Sequence, residues 1–72
     1  MAHIVADAPV SLRVRATLDG NAKDFNGASV SSIDEVEILL DESVQGTLFH
    51  YIKAGRKKGF IKGDYVEEMC AV

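Results

Sequence analysis

The sequence predicts an all-β domain: a small antiparallel barrel of five short strands, with one short helical turn before the last strand. Apolar and polar residues alternate with a period of two over residues 10–18 and again over residues 35–40, which is typical of strands that bury one face. Residues 47–53 are rich in aromatic and β-branched side chains, which also favour strands. Short glycine-containing connections separate these segments, as is typical of small β-barrels.

Size and composition indicate one globular domain. The chain has 72 residues, of which 47% are apolar and 26% charged, and its net charge is −3, so it is too apolar for a disordered chain. Residues 1–9 show no clear period, and we expect a loose lead-in there, followed by a barrel domain at residues 10–70. No apolar run approaches the length of about 18 residues that a membrane span needs.

The cysteine and histidine content restricts the cellular location and the metal chemistry that we expect for this chain. Cys70 is the one cysteine, whereas small secreted domains usually carry paired cysteines. The N-terminus also does not have the pattern of a signal peptide, so we expect a cytoplasmic location. With His3 and His50 at unrelated spacing, no zinc site can be assembled, and we expect neither a metal nor another cofactor.

The first two strands are defined by alternation. In the first, Val10, Leu12, Val14, Ala16 and Leu18 share one face, since side chains two positions apart point the same way. The loop at residues 19–27 contains glycine and asparagine, which suit turns, and its Phe25 either packs onto the barrel or is exposed.

In the second strand, Val36 and Ile38 face the core, with Leu40 next in the alternation. A helix over residues 33–40 with Ser32 as its N-cap is the alternative, but β-branched residues favour the strand. The remaining segments are a loop at 41–46, a third strand at 47–53, a turn at 54–59, a strand at 60–61, a helical turn at 63–65 and a closing strand at 66–69.

The order of these segments and three motifs resemble the Src-homology-3 (SH3) domain family. Residues 59–66, Gly-Phe-Ile-Lys-Gly-Asp-Tyr-Val, are similar to the family's Gly-aromatic-aliphatic-Pro-small-Asn-Tyr-Val ending, with Lys62 in place of proline. Residues 16–20 resemble its Ala-Leu-Tyr-Asp-Tyr motif, and residues 33–38 its Gly-Asp-x-aliphatic-x-aliphatic motif. The resemblance covers about residues 12–69. It implies a core of Val14, Ala16, Ala28, Val30, Val36, Ile38, Ile52, Ile61 and Val66.

The resemblance also implies a ligand groove. Typical SH3 domains bind polyproline-II segments on a row of aromatic rings, beside an acidic loop. Position by position, the groove candidates here are Leu18, Gly20, Lys62, Tyr65 and a residue of the third strand. That residue is Phe49 if the following hairpin turn is short and Thr47 if it is long, and the Phe49 register also places Ile52 in the core. The acidic rim would be Asp24, Asp41 and Glu42, although such acids are often only solvated.

Three candidate functions follow. Because Leu18 and Gly20 replace tyrosines and Lys62 replaces proline, ordinary Pro-x-x-Pro segments should bind weakly or not at all. The first prediction is therefore a non-catalytic protein-interaction module, an adaptor or scaffold domain with an atypical groove, monomeric when isolated, that binds another protein or peptide.

The alternative uses a basic patch on an anionic lipid headgroup or nucleic acid. The patch residues are Lys53, Arg56, Lys57, Lys58 and Lys62. A further alternative is a bacterial-type SH3 targeting domain, which residues 11–15, Ser-Leu-Arg-Val-Arg, also resemble. An enzyme is not expected, because His3 and His50 have no nucleophile or carboxylate at telling spacing.

Overall fold

The computed structural model of this protein describes residues 2–18 and 22–68. Within them, seven strands and two short 3-10 helices follow one another. The strands are β1 (Ala2–Ile4), β2 (Val10–Arg13), β3 (Phe25–Val30), β4 (Glu35–Val44), β5 (Thr47–Ala54), β6 (Lys57–Lys62) and β7 (Val66–Glu68). The 3-10 helices are Ala22–Asp24 and Gly63–Tyr65.

The strands form one antiparallel sheet in the order β3-β2-β6-β5-β4-β1-β7. The all-β class is therefore confirmed. The five-stranded barrel is not confirmed, because the described sheet has seven strands and ends on two strands, β3 and β7, that do not pair with each other.

The N-terminal segment is part of the sheet. β1 lies between β4 and β7, with Ala2 opposite both Val36 and Glu68. Ala2 and Ile4 are buried in the core. The loose lead-in expected for residues 1–9 is therefore wrong for Ala2–Ile4. A strand of three residues is too short to show a period, so only its pairing with distant strands reveals it.

Most of the expected core is present. The buried cluster consists of Ala2, Ile4, Leu12, Val30, Val36, Ile52, Ala54 and Ile61, with Ala28, Ile38 and Val66 partly buried against it. Val14 is wrong as a core residue, since it is 54% exposed, and Ala16 belongs neither to the buried cluster nor to the residues packed against it. β2 ends at Arg13 and the chain bends at Val14 and Arg15, so the alternation no longer describes a strand there.

The β4–β5 hairpin is longer than expected. Residues 41–44 continue β4 instead of forming a loop, and the turn is reduced to Gln45 and Gly46, both at positive φ. The helical alternative over residues 33–40 is wrong, because Ser32 and Ile33 form a turn before β4 begins. A register shift between Ile38 and Leu40 places Leu40 on the face opposite to Ile38, since an extra residue in one strand reverses the alternation.

The second hairpin is tight as well. Lys57 and Lys58 belong to β6, so the turn predicted at residues 54–59 shrinks to Gly55 and Arg56. A Cβ on Gly59 would lie 2.7 Å from the Leu12 Cβ, so β6 can approach β2 there only without a side chain. The helical turn at Gly63–Tyr65 and the closing strand at Val66–Glu68 are confirmed, while Met69 lies outside the described residues.

Candidate functional site

A groove of about 990 Å³ runs between the segment that follows β1 and the 3-10 turn at Gly63–Tyr65. Val5 donates its backbone N–H to the carbonyl of Tyr65 at 2.8 Å, which ties the two walls together. Lys62 and Tyr65 lie on one side of the groove and Arg13 and Phe25 line it as well. Tyr65 is 37% exposed and is the residue of the 3-10 turn that offers an aromatic side chain to this groove.

Only two of the groove candidates from the sequence, Lys62 and Tyr65, are among the residues that line this groove. Leu18 is exposed but does not line it. Gly20 lies outside the described residues. The structure thus brings the C-terminal half of the expected groove together and leaves out Leu18.

Phe49 is fully buried and is not an exposed groove ring. Its neighbours across the sheet are Glu42 on β4 and Lys62 on β6. The short hairpin turn that favoured Phe49 over Thr47 is present, and Ile52 is buried as that register required. The register was therefore right, but the ring is used for packing, which the sequence could not reveal.

The expected acidic rim does not converge on the groove. Asp24 is almost completely buried, where its Oδ1 accepts a hydrogen bond from Arg15 at 2.8 Å. Asp41 lies on the β4–β5 hairpin, 2.6 Å from the Nδ1 of His50, and Glu42 follows it.

The acids that do line the groove are Asp7, Asp64 and Glu67. Sequence reasoning missed this role for all three. Asp64 and Glu67 flank Tyr65 and Val66 in the chain, and that adjacency was the available signal.

The basic patch is divided between the two faces of the sheet. Lys53 and Lys58 are directly opposite each other on β5 and β6, and Lys62 follows on the same face of β6, because alternate residues share a face. Lys57 lies on the other face, where its Nζ donates to the Ser29 carbonyl at 2.7 Å. Arg56 is exposed in the turn. Three of the five predicted cations therefore share a face.

The same face carries a row of large side chains in register across five strands. Leu40 is opposite Tyr51, Tyr51 is opposite Phe60, Phe60 is opposite Arg13, and Arg13 is opposite Phe25. The Tyr51 and Phe60 rings lie 4.8 Å apart, and the Arg13 guanidinium lies 5.0 Å from the centre of the Phe25 ring. We call this set the aromatic row. Sequence reasoning missed it, because the row exists only once strand register is known.

Outside the groove and the lysine-bearing face, the described residues include one histidine–carboxylate pair, Asp41 and His50. Asp41 and His50 form a close pair, but a pair of this kind needs an adjacent nucleophile to act in covalent catalysis. Among residues 2–18 and 22–68 no group of three or more potential metal ligands comes together. None of the helices described there has the length and apolar character needed to cross a membrane.

Comparison with known proteins adds no family assignment. No family model matches this chain, and neither the curated proteins nor the solved structures yield a match.

Proposed function

We propose that this chain is a non-catalytic protein-interaction module, an adaptor or scaffold domain of the SH3-like type, whose groove binds an extended segment of another protein. The observation that carries the proposal is Tyr65, which stands exposed in a groove of about 990 Å³ beside Lys62. Recognition of an extended peptide needs such an aromatic-lined groove with a few polar groups to orient the chain.

The order of the elements supports the SH3-like part of the proposal. β4, β5 and β6 form two successive hairpins, a single 3-10 turn follows, and β7 returns to pair with β1. In this comparison β1 takes the place of the first strand, which the resemblance had assigned to residues 10–18, and the β2–β3 hairpin lies between β1 and β4.

The groove favours a ligand other than an ordinary Pro-x-x-Pro segment. Phe49 is buried and Lys62 places a cation where the family has proline, so of the aromatic rings that the SH3 resemblance implies only Tyr65 lines the described groove, where Phe25 is a second ring. Asp7 and Asp64 line the groove, and carboxylates pair well with the Arg or Lys of a ligand. The preferred segment is therefore extended and carries a basic side chain.

An NMR titration of the isotope-labelled chain tests this function. An arginine-containing extended peptide is expected to shift the amide signals of Val5 and Tyr65, and a Pro-x-x-Pro peptide without basic residues to shift them less. Tyr65→Leu should lower the affinity about tenfold or more, whereas Leu18→Ala, an exposed position outside the groove, should leave it unchanged. Equal loss in both variants, or saturation by the proline peptide alone, would contradict the proposal.

A second candidate is binding of an anionic surface, favoured by the three lysines that share a face with the aromatic row. Aromatic rings flanked by cations are the usual platform for single-stranded nucleic acid, where bases stack on the rings and phosphates meet the cations. Lys53 and Lys58 stand beside Tyr51 and Phe60. Lys53 is also opposite Glu37, which reduces the positive charge of this face.

The two candidates separate experimentally. Binding to a fluorescent single-stranded oligonucleotide or to anionic vesicles should weaken steeply with salt and be lost in a Lys53→Glu, Lys58→Glu double variant. A Lys57→Glu variant, with the charge changed on the opposite face, is the matched control. Binding that responds equally to both variants would remove this candidate. The bacterial-type targeting role and the cytoplasmic location, the latter inferred from the single Cys70 of the sequence, remain proposals.

A further inference from the structure

The outer part of β4 forms an open edge of the sheet. β1 pairs only with Glu35 and Val36, whereas β5 pairs with β4 as far as Val44. On the side of β4 away from β5, residues 40–44 have no paired strand in the described part of the chain. We call residues 40–44 the β4 edge. At about 3.3 Å per residue it is roughly 16 Å long.

An open edge of this kind is suited to a further strand. An edge strand presents alternating backbone N–H and C=O groups outward, and extended peptides bind such edges by adding a strand. Proteins often block their edges with lysine, proline or a β-bulge. β4 contains neither lysine nor proline, and its register shift at Leu39 lies before the β4 edge begins. Leu40 is 49% exposed, and Leu39 and Leu48 are also exposed nearby. The β4 edge therefore offers both backbone groups and apolar surface.

The negative charge of β4 indicates which kind of strand can pair with the β4 edge. The strand contains Glu35, Glu37, Asp41 and Glu42 and no basic residue. Pairing two copies of this chain through the β4 edge would place acidic strands side by side, and like charges across a strand pair are destabilising. A basic strand removes that repulsion and gains opposite-charge pairs. An acidic side chain is present on each face of the β4 edge, because Glu42 lies on the face of Leu40 and Asp41 lies on the face of His50.

We propose that the β4 edge binds an extended basic segment of a partner protein by antiparallel strand addition. The segment places an apolar side chain opposite Leu40 and basic side chains opposite Asp41 and Glu42. This site goes beyond the groove of the proposed function, since none of the described residues that line the groove belongs to β4. The two sites can therefore succeed or fail independently.

The probe is a synthetic blocked peptide of sequence Thr-Val-Thr-Lys-Lys-Val-Thr, titrated into the isotope-labelled full chain. Amide signals of residues 40–44 are expected to shift, and hydrogen exchange to slow at the alternate residues whose N–H groups point away from β5, because those N–H groups become bonded. The same peptide N-methylated at alternate residues should not bind. Shifts confined to Val5 and Tyr65, or none at all, would overturn the proposal.

A charge swap makes the test independent of folding. Glu42→Lys should weaken binding of the lysine peptide at least tenfold and restore binding to a peptide with Glu-Glu in place of Lys-Lys. Glu68→Lys, an exposed acid on β7 that does not line the groove, is the matched control and should leave the affinity for the lysine peptide at the β4 edge unchanged. Failure of the swapped peptide to bind the folded Glu42→Lys chain would overturn the proposal, as would concentration-dependent broadening at residues 40–44 without peptide, which would show a second copy there.

Discussion

Replacing Ile52 with alanine should remove a large part of the stability of this domain. Ile52 is fully buried at the centre of the sheet, opposite Ile38 on β4 and Gly59 on β6. The substitution deletes three carbon atoms, and the lost transfer free energy is about 2.4 kcal/mol at roughly 0.8 kcal/mol per methylene. Gly59 has no side chain to fill the space, so a cavity term adds to this, and the expected total is about 3–4 kcal/mol.

That loss is large against the whole stability of the chain. A domain of this length typically unfolds with about 4–11 kcal/mol, and 1 kcal/mol corresponds to a shift of roughly 4–8 °C in the melting temperature. Ile52→Ala should therefore melt at least about 12 °C below the parent in circular dichroism, or be unfolded at room temperature.

Ile33→Ala is the matched control for this experiment. Ile33 is 90% exposed, so its truncation should change stability by less than about 0.5 kcal/mol. If Ile52→Ala melted within about 2 °C of the parent, the packing of the inner face described above would be refuted.

Substitutions at three further positions examine separate features of the fold by urea denaturation. Gly59→Ala should destabilise by about 1–3 kcal/mol, since the new methyl would press on Leu12, and an unchanged midpoint would mean that β6 and β2 lie further apart. Ile4→Ala should cost about 2–5 kcal/mol because β1 is part of the core; a negligible change would instead support a loose N-terminal segment. Arg15→Gln should cost about 1–3 kcal/mol by depriving the buried Asp24 of its ion pair, and Arg15→Lys should recover part of that loss.

The alternation of apolar and polar residues was sufficient to predict core positions where a strand is long and one of its faces is buried. Val36 and Ile38 were placed correctly because alternation is a local property of the chain, and the turn at Gly63–Tyr65 followed from local turn chemistry. Ile52 was placed in the core by the SH3 resemblance. The same reasoning extended the first strand too far: Val14 continues the alternation of Leu12, but the chain bends away after Arg13. Alternation shows that a strand is possible and does not show where pairing ends.

The candidate groove was only partly predictable. Lys62 and Tyr65 were found because they lie in a motif that is continuous in sequence. Asp7 escaped notice because it reaches the groove through the pairing of β1 with β7, which joins the two ends of the chain. The register assigned to Phe49 was correct, but its burial was not predicted. Burial depends on what covers a face of the sheet and not on which face a residue occupies.

The amino-acid sequence by itself determined the all-β class, most of the inward-facing aliphatic residues and the position of the last turn, since each is set by interactions among near neighbours in the chain. The tertiary structure alone decided that β1 belongs to the sheet, that Leu40 turns outward after the shift at Leu39, and that five large side chains align into one row. Each of these depends on the register between strands distant in sequence. Register is a property of pairs of strands, so no single segment encodes it.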